Sequence, residues 1–436
     1  MTKSDWKKCK LGDVISIKHG FAFKGDFFVE TPTPYILVTP GNFNIGGGFK
    51  DAKLKYYNGP IPQDYILKPG DVIVTMTDLS KAGDTLGYSA LVPELKGKIL
   101  LHNQRIGLVL SESISISKQF IYWLMREHNY QQYIVNTASG STVKHTSPSR
   151  IEAFEFLLPP IEEQKRIAGI LGSLDDKIEL LQKQNKTLED MAKAIFKSWF
   201  VDFDIVRAKQ QGRPKADIMR EYYLTDELYD LFPSDFENSS LGPIPLGWQV
   251  KNITELIEFE KGIEPGAKNY TNIPPNKEYV PFYRVQDISS YGNQCKTFVD
   301  KSLLKGKLFS NDDIVVSLDA TLGRVCIGTQ GGFSSGIRKV ISKSNDLSKT
   351  YILCFLKSDY FLQMLDKYAG AETTIKHAGK AVSYLQIVYD KNIINKFNHM
   401  TEKIFPKILQ NIKQMQTLTE LRDTLLPPLI SGKIRV

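Results

Sequence analysis

The dipeptide Lys144-His145 returns as Lys376-His377, 232 positions later, and closes a longer self-similarity that divides the chain into two halves. A repeat on this scale constrains the architecture before any local reading, because each copy must build the same unit. Each half opens on a Trp followed by alternating apolar residues and a His-Gly or Lys-Gly turn, Trp6 to Gly20 and Trp248 to Gly262. A strand-like apolar run follows, Tyr35 to Val38 and Tyr279 to Val285. LKPGDVIVTMTD from Leu67 then parallels LFSNDDIVVSLDA from Leu308, each an acidic turn before a β-branched strand, and LGYSALV from Leu86 parallels LGRVCIG from Leu322. Aromatic, helix-like segments come next, Phe120 to Tyr133 and Tyr351 to Tyr368, before GSTVKHT from Gly140 and AETTIKHA from Ala371.

Each half ends in a long heptad pattern. Ile167, Leu171, Leu174, Ile178, Leu181, Asn185, Leu188, Ala192, Ile195 and Trp199 keep the alternating four-three spacing of a coiled-coil seam. Phe397, Thr401, Ile404, Ile408, Asn411, Met415, Leu418, Arg422, Leu425 and Leu429 keep the same rhythm in the second half. A chain with two such helices most simply pairs them with each other, so the pattern predicts an antiparallel coiled coil with Asn185 close to Asn411. A seam Asn fixes register at a cost in stability, so replacing either by Ile is expected to stabilise the chain and loosen its alignment. The fold class expected is α+β: two globular domains separated by two long helices, with pseudo-twofold repetition. Between the first helix and the second globular unit, Arg207 to Pro245 mixes basic, Pro and aromatic residues and reads as a long irregular connector.

The 436 residues, 42% hydrophobic and 24% charged, suffice for two or more packed domains and are too apolar for disorder. No run of about 18 apolar residues appears, and Met1 to Lys10 has no apolar signal-peptide core, which predicts a cytoplasmic protein without a membrane partner. Cys9, Cys295, Cys326 and Cys354 are scattered without metal or disulfide spacing and are expected to be buried thiols. A formal charge of +8 and a pI near 8.9 suit a polyanionic partner without requiring one.

An enzyme is the rival class. Asp78 or Asp84 with Glu94-Leu95-Lys96 superficially matches a metal-dependent nuclease, but Pro93 and Gly97 flank the pattern as in a surface turn. Asp312-Asp313 reads as a turn cap. Gly46-Gly47-Gly48 lacks the Lys-Ser/Thr of a phosphate loop and reads as a flexible turn. Pro159-Pro160 and Pro274-Pro275 lack the context of a methyltransferase loop, and no His or Cys cluster has metal-ligand spacing. No catalytic residue and no metal site are therefore assigned, and no cofactor is expected in this chain.

Three ordered motifs carry a family resemblance. LPPIEEQKRIAGILGSLDDKIELLQKQNKTLEDMAKAIFKSWFVDF from Leu158, LFPSDFENSSLGPIPLGW from Leu231 and LRDTLLPPLISGKI from Leu421 resemble the central conserved region, the start of the second recognition domain and the C-terminal conserved helix of type I restriction-modification specificity (HsdS) subunits. The resemblance covers essentially the whole chain. It implies target recognition domains at 1–158 and 246–390, conserved helices at 159–206 and 391–436, and a connector at 207–245. It also implies double-stranded DNA, two modification (methyltransferase) subunits and restriction (translocase/endonuclease) subunits as partners. S-adenosylmethionine, ATP and Mg²⁺ are then implied for those partners alone. Helix faces bearing Lys177, Lys183 and Lys186 are candidates for docking them.

On this reading the chain recognises an asymmetric, bipartite site with an unread spacer. A heptad helix of about 35 residues spans roughly 50 Å, enough to hold two small readers about one helical turn of DNA apart. Base reading needs Arg, Lys, Asn, Gln or hydroxyl groups on exposed loops. In the first unit the candidates are His102, Asn103, Gln104 and Arg105, with Ser139, Ser141, Thr142, Lys144, His145 and Ser147. In the second they are Arg324, Ser334, Ser335, Arg338, Thr373, Thr374, Lys376 and His377. A coiled-coil scaffold that binds no DNA is the remaining alternative, and it predicts globular units without a basic surface.

Overall fold

The β-branched run Val72–Thr75 lies inside an antiparallel sheet ordered Ser16–His19, Ile106–Leu110, Val72–Thr75, Ser89–Leu91. All four of its residues are buried, as continuous apolar runs are when a strand is covered on both faces. A second sheet runs Phe28–Val29, Lys55–Tyr57, Tyr35–Val38, Ile99–His102, its last pair parallel. The later half repeats this plan. Ile257–Lys261, Ile337–Ser342, Ile314–Ser317 and Val325–Cys326 form the antiparallel sheet, and Tyr279–Tyr283 pairs in parallel with Gly331–Phe333 in the other.

This computed structural model describes residues 6–80, 82–111, 113–289, 291, 295–369 and 378–436. The chain forms two units: residues up to Lys177 together with Thr417–Val436, and Ile178–Gln416. Each aromatic helix-like segment is a pair of helices, Lys118–Leu124 with His128–Thr137 and Lys349–Leu356 with Asp359–Tyr368. The breaks fall where Glu127 and Ser358 cap the second helix, accepting from Tyr130 N and Phe361 N.

The first heptad pattern is one helix, Ile161–Phe200. The second is broken at Glu402-Lys403 into Lys391–Thr401 and Ile404–Ile430. In the first unit Ile167 and Leu171 join Leu426, Leu429 and Ile430 in the core around Trp6, while Leu174, Leu418 and Leu425 are half-buried. Glu163 accepts the Trp6 indole N–H at 2.8 Å and an Arg435 guanidinium N–H at 3.0 Å, and Arg435 stacks on Trp6. Asp175 is held between Arg126 at 2.6 Å and Arg422. Burial would raise Asp175, but the two guanidinium groups outweigh it and hold the carboxyl below its usual range. Asp175 pairs with Arg422 and Glu163 with Arg435, so numbering rises along one helix as it falls along the other.

In the second unit Leu181, Asn185, Ile408, Asn411 and Met415 are buried and Ile178, Leu188 and Ile404 half-buried. Asn411 Nδ2 donates to Asn185 Oδ1 at 2.8 Å, and Asn185 Nδ2 reaches the Ile408 carbonyl at 3.4 Å. Ala192 lines one small cleft with Ile404 and Ile408, so these helices too are antiparallel. Beyond Ala192 the seam departs from the heptad: Ile195 is half-buried and Phe196 is buried. A straight helix drifts from a 3.5-residue repeat, and here Phe196, Phe200, Tyr351 and Phe397 meet edge to face at centroid separations of 5.0 to 6.1 Å.

The expected irregular connector is folded instead. Asp204–Gln210, Lys215–Glu221 and Asp226–Leu231 are helices, and Phe236–Ser239 pairs with Gly242–Pro245. Its apolar residues Ala208, Ile218, Leu224, Leu228 and Phe232 are buried, with Phe232 against Trp199 and Trp248. Two of the expected buried thiols, Cys9 and Cys295, are only half-buried. The triple-glycine turn is also fixed: Gly46 O accepts from Arg126 Nε at 2.9 Å, and a Cβ on Gly47 would fall 2.5 Å from Arg126 Cγ.

Candidate nucleic-acid interface

In the first unit the reading edge is built by a close backbone crossing. A Cβ on Gly20 would lie 2.0 Å from Asn103 O, so only glycine lets the strand end pass the turn Asn103–Ile106. Phe21 N donates to His102 O and Gln104 N to Phe21 O, each at 2.9 Å, and Ile106 N closes the turn on Asn103 O at 3.0 Å. Asn103 Oδ1 accepts from Arg105 N at 3.1 Å, which uses that side chain to shape the turn and leaves Gln104 and Arg105 exposed.

Arg105 O accepts from Met76 N, and the two residues after Met76 pair with the Lys-His strand: Lys144 lies opposite Asp78 and His145 opposite Thr77. Thr77 Oγ1 is 3.2 Å from His145 Nδ1. Ser139 and His145 exchange two backbone bonds, and exposed Ser141 and Thr142 cap this hairpin. Candidates from two distant stretches of sequence thus flank one short strand. Arg150, absent from the sequence candidates, joins them, its Nη1 3.3 Å from Ser139 Oγ and 3.5 Å from His145 O. No spacing signal marked it, because the five-residue helix Pro148–Glu152 is what brings it back.

Several candidates are internal instead. His102 is fully buried at a strand end; its Nε2–H donates to Ile106 O at 2.8 Å, and Nδ1 has no partner. Burial pushes the imidazole pKa down to about 4, so the ring is neutral near pH 7. Ser147 caps Pro148–Glu152, accepting from Arg150 N. His102 is therefore structural, since its side chain cannot meet a base edge, whereas Ser147 is only half-buried, its hydroxyl also 3.0 Å from Ser149 Oγ.

The second unit repeats the crossing with other residues. A Cβ on Gly262 would lie 2.2 Å from Ser334 O, Ile263 N donates to Phe333 O, and Ile337 N closes on Ser334 O at 2.9 Å. Leu318 N donates to Gly336 O as Met76 N does to Arg105 O, and Ala378 N to Leu318 O as Thr146 N does to Met76 O. Asn103-Gln104-Arg105 therefore corresponds to Ser334-Ser335-Gly336, and His102 to Phe333. Ser334 is buried, and Ser335 is engaged by Glu264, which accepts from its amide at 3.0 Å and its hydroxyl at 2.8 Å. Arg338 is buried too, with Nη1 donating to Ser335 O and Ile337 O, so it braces the turn rather than facing solvent. Arg324 is exposed, with Nη1 3.3 Å from Val285 O. Thr373, Thr374, Lys376 and His377 lie outside the described residues.

Asp78 and Asp313, from the acidic patterns weighed as catalytic, cap turns. Asp78 accepts from Ser80 N, Thr85 N and Thr85 Oγ1, and Asp313 from Ser310 N at 2.7 Å. Burial acts to raise the Asp78 carboxyl, and these donors bring it below its usual range. Among the described residues no group of three His, Cys, Asp or Glu is placed to hold a metal ion, and no helix is long and apolar enough to cross a membrane.

The sequence pattern of the type I restriction modification DNA specificity domain matches residues 3–190 and 245–388. The chain belongs to that family. This specificity subunit is similar to the type I restriction enzyme MjaIX specificity subunit of Methanocaldococcus jannaschii, 27% identical over 99% of this chain and 94% of the relative. It is equally similar to the HindI specificity subunit of Haemophilus influenzae, 27% identical over 99% of this chain and 100% of the relative. The S subunit structure from M. genitalium shares the fold, with TM-score 0.52 and 16% identity over 99% of this chain and 97% of that one. Specificity subunits are the non-catalytic DNA-recognition components of type I systems and act with methylase and restriction subunits.

Proposed function

We propose that each unit reads one half of an asymmetric, bipartite double-stranded DNA site, with unread base pairs between the halves. One observation carries this reading: the same glycine crossing and turn recur in both units but present different side chains, Gln104 and Arg105 in one and Ser335 and Gly336 in the other. Equal frames bearing unlike groups suit unlike half-sites. In the first unit Lys144 and Arg150 supply positive charge for phosphates, and Gln104, Arg105, Ser141 and Thr142 supply donors and acceptors for base edges. In the second, Arg324 and the Lys376-His377 segment take those roles.

Recognition domains at 1–158 and 246–390, with helices at 159–206 and 391–436 holding them and 207–245 joining them, complete the assignment. The exposed helix faces around Lys177, Lys183 and Lys186 dock two modification subunits, and the restriction subunits join that complex, so that the chain chooses where its partners act. Those partners, rather than this chain, use S-adenosylmethionine, ATP and Mg²⁺. Methylation mapping of a host carrying the subunit with its partners tests the reading. Two unlike short motifs at a fixed separation are expected; one continuous motif or a palindrome would overturn it.

A further inference from the structure

The first unit carries a loop that the second lacks. Between the aligned positions Asp78 and Leu86 lie residues 79–85, whereas between Ala320 and Leu322 lies Thr321 alone. Ser80, Gly83, Asp84 and Thr85 are held in place: besides the three bonds to the Asp78 carboxylate, Ser80 Oγ accepts from Gly83 N and Asp84 N at 3.0 Å, and Gln131 Nε2 donates to Gly83 O at 3.1 Å. At the head of this loop stands Leu79, 69% exposed. It directly follows the Thr77–Asp78 strand that pairs with Lys144–His145. An apolar side chain is thus presented between the hydrogen-bonded Asp78 and Ser80, immediately beside the cationic reading edge.

We infer that Leu79 is a specificity-determining residue that reads the C5-methyl group of a thymine in the first half-site. The inference rests on the proposed reading edge and adds to it a contact that no polar residue supplies. In the major groove thymine differs from the other bases by a methyl group, and apolar side chains recognise it by burying that group. Asp78 acts as the positioning residue, because its carboxylate accepts from Ser80 N and Thr85 N and so ties down the backbone that follows Leu79. The second unit has no equivalent, so this contact belongs to one half-site.

The test uses the complex with its modification subunits and duplexes carrying the mapped site, with each thymine of the first half replaced in turn by deoxyuridine, which removes the methyl group alone. Losing one buried methyl-sized group corresponds to about a fourfold weaker binding. At one thymine the wild-type complex is expected to lose about that factor, Leu79→Ala to bind thymine and deoxyuridine equally, and Leu79→Met to retain most of the discrimination. Leu79→Ala that keeps full discrimination at every position, a first half-site without thymine on either strand, or equal weakening on cognate and unrelated DNA overturns the inference. Arg105→Ala, run in parallel, separates the two readings: if it leaves affinity and salt dependence unchanged, the reading edge itself is misplaced.

Discussion

Exchanging Asn185 and Asn411 for leucine one at a time should give unequal results, although both are fully buried and bonded to each other. The asymmetry lies in their amides. Asn185 uses both ends, accepting from Asn411 Nδ2 and donating to Ile408 O, whereas Asn411 Oδ1 is buried without a partner. Asn411→Leu strands Asn185 Oδ1 but removes an atom already stranded, so the number of unpartnered buried atoms stays the same. Asn185→Leu leaves Asn411 Nδ2 bare beside its bare Oδ1, one more than before. Each such group costs about 1–3 kcal/mol, and the gain from burying leucine is common to both variants and cancels between them. Asn411→Leu should therefore exceed Asn185→Leu in stability by about 2 kcal/mol, and the double variant should be the most stable while its helices align less specifically. This refines the expectation that either replacement alone stabilises. Amide hydrogen exchange over residues 181–192 and 404–415 reads the difference as about a 30-fold change in protection. Equal protection in the two single variants, or greater protection in Asn185→Leu, would refute the reasoning.

Three further outcomes follow from the geometry. His102 has a folded pKa of about 4 against 6.5 for the free ring, so the unfolded chain takes the proton first; its stabilising neutrality is intact above pH 6.5 and is lost as pH falls toward about 4. His102→Phe, which installs the residue found at the equivalent Phe333, should remove about 2.5 kcal/mol of acid destabilisation relative to wild type in urea titrations at pH 7 and pH 4.5. Lys144→Ala should weaken binding to all duplexes and reduce the salt slope by about one, whereas Arg105→Ala should relax a single base position at a cost of about 1–3 kcal/mol in competition assays. Asp175→Asn leaves Arg126 and Arg422 facing each other without their shared carboxylate, and thermal unfolding should report a loss of about 3 kcal/mol, the lower end for broken buried pairs because Asp175 is a quarter exposed.

The duplicated plan was legible because strand periodicity, turn glycines and heptads all repeat in order, and the paired seam asparagines could be foreseen from the heptad phase alone. Sidedness was not. Arg338, Ser334 and His102 are polar residues beside turns, and a linear string does not tell whether such a side chain leaves the sheet or folds back onto nearby carbonyls, as Arg338 does onto Ser335 and Ile337. Arg150 shows the converse: its position beside Ser139 depends on a tertiary return that no local spacing encodes. The stretch from Arg207 to Pro245 looked irregular because its helices are only six or seven residues long, too short for periodicity to register, and its order comes from packing on Trp199 and Trp248.

The clasp of Trp6, Glu163 and Arg435 makes the first unit discontinuous, since Thr417–Val436 must join a body whose other residues end at Lys177. During synthesis the intervening second unit is a continuous segment that is complete before this partner strand of helix appears. At about 5–20 residues per second the ribosome takes roughly 12 to 48 seconds to cross that interval. Throughout it, Leu171, Ile167 and Trp6 await the side chains of Leu426, Leu429 and Ile430, so the first unit is the one a chaperone would have to shelter and the one whose maturation lags.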